Sequence, residues 1–304
     1  ELEEFEVASF QDEANFVRIL LPNQIYLSTH QNKLSQILTL NFEQWSAEER
    51  TRKFLSHFYN QSSYVIDRKT LRDGNSFNFN PFKSEENELG LNLNFRNTLF
   101  FNRGKQDFTT SYSFIFSETK NLLSTGLQEN AIRSHQINFN HKVQESWILG
   151  FKNEYTGKRN NSENFMNRNY RINQVMVNPE ISYLITENSR VKVFYEFQKQ
   201  KNELANFEKL EQQKAGFSFA FANGEKFSVS GEANYIFNAF EGNPFSPVAY
   251  QMLEGLQPEK NFTWNIIAQK KLTDYLNLNF SYFGRKSENS YTIHTGSMEL
   301  RAYF

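Results

Sequence analysis

The sequence predicts an all-β fold: a transmembrane antiparallel up-and-down β-barrel of about 14 strands, with short periplasmic turns and long extracellular loops. Large apolar side chains alternate with polar ones along most of the chain, as in strands with two unlike faces. No window approaches the ~18 consecutive apolar residues of a transmembrane helix. Short and long connections alternate between the strands, which is typical of outer-membrane barrels.

The composition concentrates apolar side chains on one surface. Mean hydropathy is only -0.67, yet 16% of residues are aromatic and 32 are Phe. A soluble protein this polar does not usually carry so many large rings. The formal net charge of -1 argues against a nucleic-acid partner. The chain has no cysteine, which excludes disulfides, thiolate metal ligands and a cysteine nucleophile.

The alternation is clearest in "LGLNLNFRNTLFF" and at the end of the chain. In the first segment, one face carries Leu89, Leu91, Leu93, Phe95, Leu99 and Phe101. In the last segment, Thr295, Ser297, Glu299 and Arg301 oppose Met298, Leu300, Ala302 and Phe304. A soluble two-sheet sandwich also alternates, but it rarely places Phe, Tyr and Trp on one face of so many consecutive strands.

Counting strands back from the end of the chain gives two regions. Residues 1–22 form an N-terminal segment that is a linker, a plug or an extra strand, and residues 23–304 form the barrel. The predicted strands lie near 24–29, 35–45, 53–68, 88–101, 107–119, 131–143, 146–157, 171–185, 189–200, 209–221, 226–239, 260–271, 275–287 and 291–304.

The connections should fall into two classes. Short turns are predicted near 46–52, 102–106, 144–145, 186–188, 222–225 and 272–274. Long loops are predicted near 69–86, 120–130, 158–169, 201–208 and 240–259. In a membrane barrel, the long loops would be extracellular and the short turns periplasmic.

Charged residues on the polar side of the predicted strands would line the lumen. They are Arg96, Lys152, Glu154, Arg190, Lys192, Glu196, Glu232, Arg285, Glu299 and Arg301. Two interpretations stay open: a hydrated pore with little charge selectivity, or a network of salt bridges that fills the interior. A strand number near 14 does not decide between them, because it lies between small filled barrels and open porins.

One long loop is unusually apolar. The segment "FEGNPFSPVAYQMLEGLQPEKN" carries Phe245, Val248, Tyr250, Met252, Leu253 and Leu256. It predicts a short helix that either folds over the mouth of the barrel or docks on a partner.

The histidines do not predict catalysis or a metal site. His135 and His141 are six residues apart on one strand, roughly 20 Å at 3.3 Å per residue, which is too far to share a metal. His294 and Ser297 have opposite parity and point to opposite faces, so they cannot form a nucleophile and base pair. Ser290 has the right parity but lies in a loop. We expect no enzyme activity and no cofactor.

Several segments resemble known outer-membrane proteins. The apolar alternation of Met298, Leu300, Ala302 and Phe304 resembles the signal that outer-membrane barrels present to the barrel-assembly machinery. The segments "FRNTLFFNRG", "NRNYRI", "NPFSPVAYQMLEGLQPEKNFTWNI" and "GRKSENSYTIHTGSMELRAYF" resemble the C-terminal part of large, mostly uncharacterised outer-membrane proteins of the Bacteroidota. The resemblance covers about residues 50–304. It implies an envelope barrel that closes a longer polypeptide, and it implies no activity.

The sequence therefore predicts a location in the Gram-negative outer membrane, with three candidate functions of unequal weight. The first is a membrane anchor or a subunit of an outer-membrane assembly or export complex. The alternative is a passive diffusion channel for small polar solutes, and an outer-membrane hydrolase is a weaker third. The expected partners are outer-membrane lipid and lipopolysaccharide, the barrel-assembly machinery and envelope proteins. The chain starts without Met or an apolar leader, so we expect that a signal peptide was removed or that the chain begins inside a longer protein.

Overall fold

Thirteen β-strands make up most of the molecule. The computed structural model describes residues 27–42, 50–72, 87–104, 107–123, 126–204, 207–224 and 226–303. The strands are β1 (Thr29–Asn41), β2 (Phe58–Leu71), β3 (Glu88–Phe101), β4 (Phe108–Leu123), β5 (Gly126–Val143), β6 (Trp147–Ser162), β7 (Tyr170–Thr186), β8 (Ser189–Asn202), β9 (Lys209–Asn223), β10 (Phe227–Glu241), β11 (Glu259–Thr273), β12 (Leu276–Ser287) and β13 (Ile293–Ala302). Two short helices, α1 (Arg50–Leu55) and α2 (Pro247–Met252), lie in the β1–β2 and β10–β11 connections.

The strands form one antiparallel up-and-down sheet. Each strand pairs with its neighbours in sequence, in the order β1 to β13. The all-β, up-and-down part of the prediction is therefore confirmed. Closure is not observed: within the described residues, β13 pairs with β12 and not with β1. The sheet therefore has two free edges, and none of the described helices is long and apolar enough to cross a membrane.

The predicted first strand, near residues 24–29, is wrong where the structure describes it. Leu27 and Ser28 lie outside any strand, and Thr29 already begins β1. The strand predicted at 35–45 starts at Thr29 instead, because β1 pairs in register with β2 from Thr29 opposite Leu71 to Asn41 opposite Tyr59. The described residues therefore form thirteen strands rather than fourteen. Residues 1–22 and 24–26 lie outside it.

The predicted classes of connection are only partly right. Residues 120–130 do not form a long loop, because β4 and β5 pair as far as Leu123 opposite Gly126. Gly126 has φ +94°, a conformation that glycine adopts readily. Main-chain hydrogen bonds continue this hairpin beyond its apolar alternation, so the side-chain pattern underestimated its length. At the opposite end, the β1–β2 connection is longer than predicted and holds α1.

We name the two ends of the sheet by their connections. The long-connection end carries the β2–β3, β6–β7, β8–β9, β10–β11 and β12–β13 connections, together with the tight β4–β5 hairpin. The short-turn end carries the β3–β4, β5–β6, β7–β8, β9–β10 and β11–β12 turns, together with the α1 connection.

The two faces of the sheet differ in chemistry, and cross-strand register extends each face from strand to strand. On the polar face, side chains such as Ser134, Thr156 and Gln198 are buried. On the apolar face, large side chains are exposed, including Trp147, Leu149, Phe151, Tyr155, Tyr195, Phe217, Tyr235 and Phe262. Burial is thus reversed relative to a water-soluble sheet, in which polar side chains face the solvent and apolar ones form the core.

Glycines allow close packing on both faces. Trp264 lies over Gly284 of the neighbouring strand on the apolar face, and Phe194 lies over Gly216 on the polar face. A Cβ atom at either glycine would collide with the ring that covers it. Aromatic rings that cover glycines in this way help to fix the register of neighbouring strands.

Candidate functional site

The polar face carries all ten charged residues that the sequence predicted to line a lumen. Cross-strand register places them on one side of the sheet. They are Arg96, Lys152, Glu154, Arg190, Lys192, Glu196, Glu232, Arg285, Glu299 and Arg301. That they line an enclosed lumen stays a prediction, because the described sheet is open.

Ion pairs on the polar face are local. Lys152 and Glu154 of β6 pair at 3.1 Å between Nζ and Oε2. Lys192 of β8 reaches Glu180 of β7 at 3.4 Å. For the described residues of this face, no ion pair reaches beyond a neighbouring strand. A salt-bridge network that spans an interior is therefore not what this part of the structure contains.

Amide side chains dominate the half of the polar face near the long-connection end. Gln174 Nε2 donates to Gln198 Oε1 at 3.0 Å, and Gln212 Nε2 donates to Asn238 Oδ1 at 2.9 Å. All four residues are buried. These hydrogen bonds join neighbouring strands through neutral groups, so they stabilise the polar face without placing charge there.

The β10–β11 connection, residues 242–258, folds back over this amide region; we call it the cap segment. Side chains of the polar face donate to its main-chain carbonyls: Gln200 Nε2 to Met252 O at 3.3 Å and Asn238 Nδ2 to Gln257 O at 3.0 Å. Buried donors on two different strands therefore hold the cap segment. The loop packs against the polar face. That it covers the mouth of a barrel or docks on a partner stays a prediction.

A small hydrophobic cluster fastens the cap segment to the sheet. Its buried members are Ile172 of β7 and Leu210 of β9 with Val248, Ala249, Met252 and Leu253 of the cap segment, and Tyr170 and Phe240 pack against them. Ile172 and Leu210 are apolar residues on the polar face. That break in the alternation was the sequence signal for the cluster, and the sequence reasoning missed it.

The six apolar loop residues divide between two environments. Val248, Met252 and Leu253 are at most 5% exposed, whereas Phe245 is 87% and Tyr250 is 71% exposed. The sixth, Leu256, is half-buried. Ser246 caps α2, because its hydroxyl accepts from Ala249 N at 3.0 Å. One side of the cap segment therefore packs against the polar face, and the other side exposes the rings of Phe245 and Tyr250.

The histidines of the central and last strands lie on the apolar face. Tyr112 Oη and His135 Nδ1 are 2.8 Å apart, and Tyr282 Oη and His294 Nδ1 are 2.7 Å apart. Ser297 instead contacts Ser281 on the polar face at 2.7 Å, so His294 and Ser297 point to opposite faces as predicted. Among the described residues, no three His, Asp or Glu side chains lie close enough together to hold a metal ion.

Strand β13 shows the predicted alternation at the end of the chain. Met298, Leu300 and Ala302 lie on the apolar face, opposite Phe280, Leu278 and Leu276 of β12. Met298 is 74% exposed and Leu300 is 60% exposed. Phe304 lies outside the described residues. The role of these residues as an assembly signal stays a prediction.

On one strand, two lysines border a band of apolar side chains. On β11 its side chains are Phe262, Trp264, Ile266 and Ala268, and Lys260 and Lys270 on the same face border them. The two lysines are ten positions apart, which is about 33 Å along the strand at 3.3 Å per residue. At the 35–45° tilt of membrane strands, the band would be about 23–27 Å tall, close to the apolar band of outer-membrane barrels.

No protein-family model matches the chain, and no curated protein matches it significantly. The resemblance to outer-membrane proteins of the Bacteroidota stays a prediction.

Proposed function

We propose that the chain forms a β-barrel inserted in the outer membrane of a Gram-negative bacterium, where it anchors or joins an assembly or export complex. The carrying observation is the reversed burial: buried amides and hydroxyls on one face and exposed Phe, Tyr, Trp and Leu on the other. Contiguous exposed apolar patches mark surfaces that contact lipid or protein. The height of the band on β11 favours lipid.

Insertion requires that both free edges become paired. Unpaired main-chain N–H and C=O groups cost several kcal/mol each in the hydrocarbon region, so only closed sheets span it. β1 and β13 run in the same direction, because strand direction alternates and both numbers are odd. A further strand between them, antiparallel to both, would close the barrel with the even strand number that bacterial barrels use.

The cap segment favours an anchor over an open pore. It covers the amide region at the long-connection end, where Met252 and Leu253 are no more than 1% exposed. A conduit for small polar solutes would need that end to be open. The exposed rings of Phe245 and Tyr250 on its outer side suit contact with a protein of the envelope.

One observation favours the alternative of a diffusion channel. Gln174 Oε1 and Asn234 Oδ1 are buried on the polar face, and no hydrogen bond to either is found in the described structure. Buried acceptors normally have a hydrogen-bond partner, and the solvent in a water-filled channel would supply one.

Purified chain reconstituted in vesicles separates these possibilities. An inserted barrel should resist unfolding by dodecyl sulfate until heated, and it should migrate faster unheated than heated. An anchor should give no ion conductance in planar bilayers, and it should co-purify with envelope proteins in a fixed ratio. Steady stepwise conductance would show that the protein is a channel and would contradict the anchor function. A chain that stays in the aqueous phase would contradict both.

A further inference from the structure

We infer that the apolar face carries a binding surface for phosphorylated lipid headgroups. This surface lies where β6 to β9 reach the long-connection end. We call it the basic cluster, and it consists of Arg159, Arg171, Lys201 and Lys209, one from each strand. This inference rests on the proposed membrane insertion, and it adds the lipid chemistry and the orientation.

Register brings like charges directly together in the basic cluster. Arg159 lies opposite Arg171, and Lys201 lies opposite Lys209. Like charges directly opposite each other on neighbouring strands are destabilising. Two such pairs side by side therefore indicate that an anion belongs between them.

The two outer cations of the cluster are paired with carboxylates. Glu129 on β5 binds the Arg159 guanidinium at 2.6 Å, and Glu241 on β10 binds Lys209 Nζ at 2.8 Å. Both carboxylates lie on strands outside the cluster. Among the described residues, Arg171 and Lys201 take part in no ion pair.

One carboxylate, that of Glu203, lies beside Arg171, because the main-chain N–H of Glu203 donates to Arg171 O at 2.8 Å. Glu203 follows β8, and its Oε1 accepts from Asn173 Nδ2 at 2.7 Å. Arg171 and Lys201 are both exposed. The centre of the cluster thus presents two accessible cations and one carboxylate that is hydrogen-bonded to an amide. Two cations that are already paired on their outer sides flank this centre.

The position of the cluster selects a lipid rather than a soluble anion. Further down the same strands, the apolar face carries exposed Tyr155, Val193 and Phe217. A lipid bound there would lay its acyl chains on these side chains and its phosphates against the cluster. Four adjacent strands span about 14 Å at 4.8 Å per strand, enough width for a headgroup with more than one phosphate. Arginine and lysine are the side chains that bind phosphate most readily.

On β6 to β9, the described residues at the short-turn end of the apolar face form no such surface. On the same four strands, this end presents Trp147, Tyr183, Val191 and Phe221. The basic cluster therefore gives the sheet a direction: its long-connection end belongs in the leaflet that carries phosphorylated headgroups. In the outer membrane, that is the outer leaflet with its phosphorylated glycolipid.

The test titrates protein in mild detergent with diphosphoryl lipid A and counts bound lipid by native mass spectrometry. The variant Arg171→Gln/Lys201→Gln removes the two unpaired cations. We expect its affinity for the lipid to fall by about tenfold to thirtyfold, since each cation near a phosphate contributes on the order of 1 kcal/mol and 1.4 kcal/mol is tenfold. The matched control, Arg190→Gln/Lys214→Gln, removes two cations from the polar face of β8 and β9 and should bind like the unchanged protein.

Insertion is measured separately by heat-dependent migration. If all three proteins insert and bind diphosphoryl lipid A equally, the basic cluster is overturned while membrane insertion stands. If the control loses as much affinity as the variant, binding follows total charge and the inference is again overturned. If the unchanged protein does not insert at all, the proposed function fails, and this inference fails with it.

Discussion

The long-connection end and the short-turn end of the sheet are built on different principles. At the long-connection end, the cap segment buries Met252 and Leu253 against the polar face, and the apolar face ends in Arg and Lys side chains. At the short-turn end, the apolar face of β6 and β7 ends in the aromatic rings of Trp147 and Tyr183, whose centroids lie 4.9 Å apart. A symmetric sheet would have no preferred direction in a membrane, whereas strands β6 to β9 have a charged end and an aromatic end.

The largest expected effect is on the cap segment. Leu253→Asp places a carboxylate in the hydrophobic cluster, where Leu253 is 1% exposed. An uncompensated buried charge lowers the free energy of unfolding by about 3–5 kcal/mol. We expect the cap segment to detach, with fast proteolysis of residues 242–258. Tyr250→Asp is the control, because Tyr250 lies three residues earlier, in α2, and is 71% exposed. The cleavage rate of this variant should stay unchanged. Equal cleavage of both variants would contradict the packing described for the cap segment.

The next effect concerns the middle of the apolar face. Phe151→Lys puts a cation at a position that is 42% exposed in the sheet and would face lipid in the membrane. A lysine at the membrane midplane costs about 2–4 kcal/mol, and near the interface only about 0–1. We expect the free energy of unfolding in vesicles, measured with urea, to fall by that larger amount. The control Gln213→Lys lies on the same face near Lys199 and Glu211 and should lose less than half as much. A loss of the same size in both variants would argue against a lipid-facing band.

A smaller effect is expected at the start of α2. Ser246→Ala removes the hydroxyl that accepts from Ala249 N, and losing such a cap costs about 0.5–2 kcal/mol. Hydrogen exchange of the α2 amides should therefore accelerate, while exchange in β6 stays the same. Ser246→Thr keeps the hydroxyl and should restore slow exchange. Unchanged exchange in Ser246→Ala would mean that the cluster alone holds the helix.

The two ends also differ in how far the sequence predicts them. Alternation predicted both faces of the sheet, because a strand's side-chain period of two is fixed by its backbone. For this reason Arg96, Lys192 and Glu232 were assigned to the correct face without any knowledge of strand pairing. The C-terminal strand followed from the same rule, since Met298 and Leu300 share a face in any strand.

Features that depend on pairing were beyond the sequence reasoning. Arg159 and Arg171 lie 12 residues apart in sequence, and only the register of β6 and β7 places them opposite each other. The inward fold of the cap segment depends on Gln200 and Asn238, which belong to two other strands. The β4–β5 hairpin was missed because main-chain hydrogen bonds, not apolar alternation, extend it to Leu123 and Gly126.

Membrane insertion with the apolar face toward lipid is tested most directly by spin labels on two adjacent residues. The chain has no cysteine, so Phe151→Cys and Lys152→Cys each give a single labelling site on opposite faces of β6. In vesicles, the label at position 151 should collide more with oxygen, which concentrates in lipid, than with a water-soluble nickel complex. The label at position 152 should show the reverse preference. Equal and high collision with the nickel complex at both positions would contradict insertion.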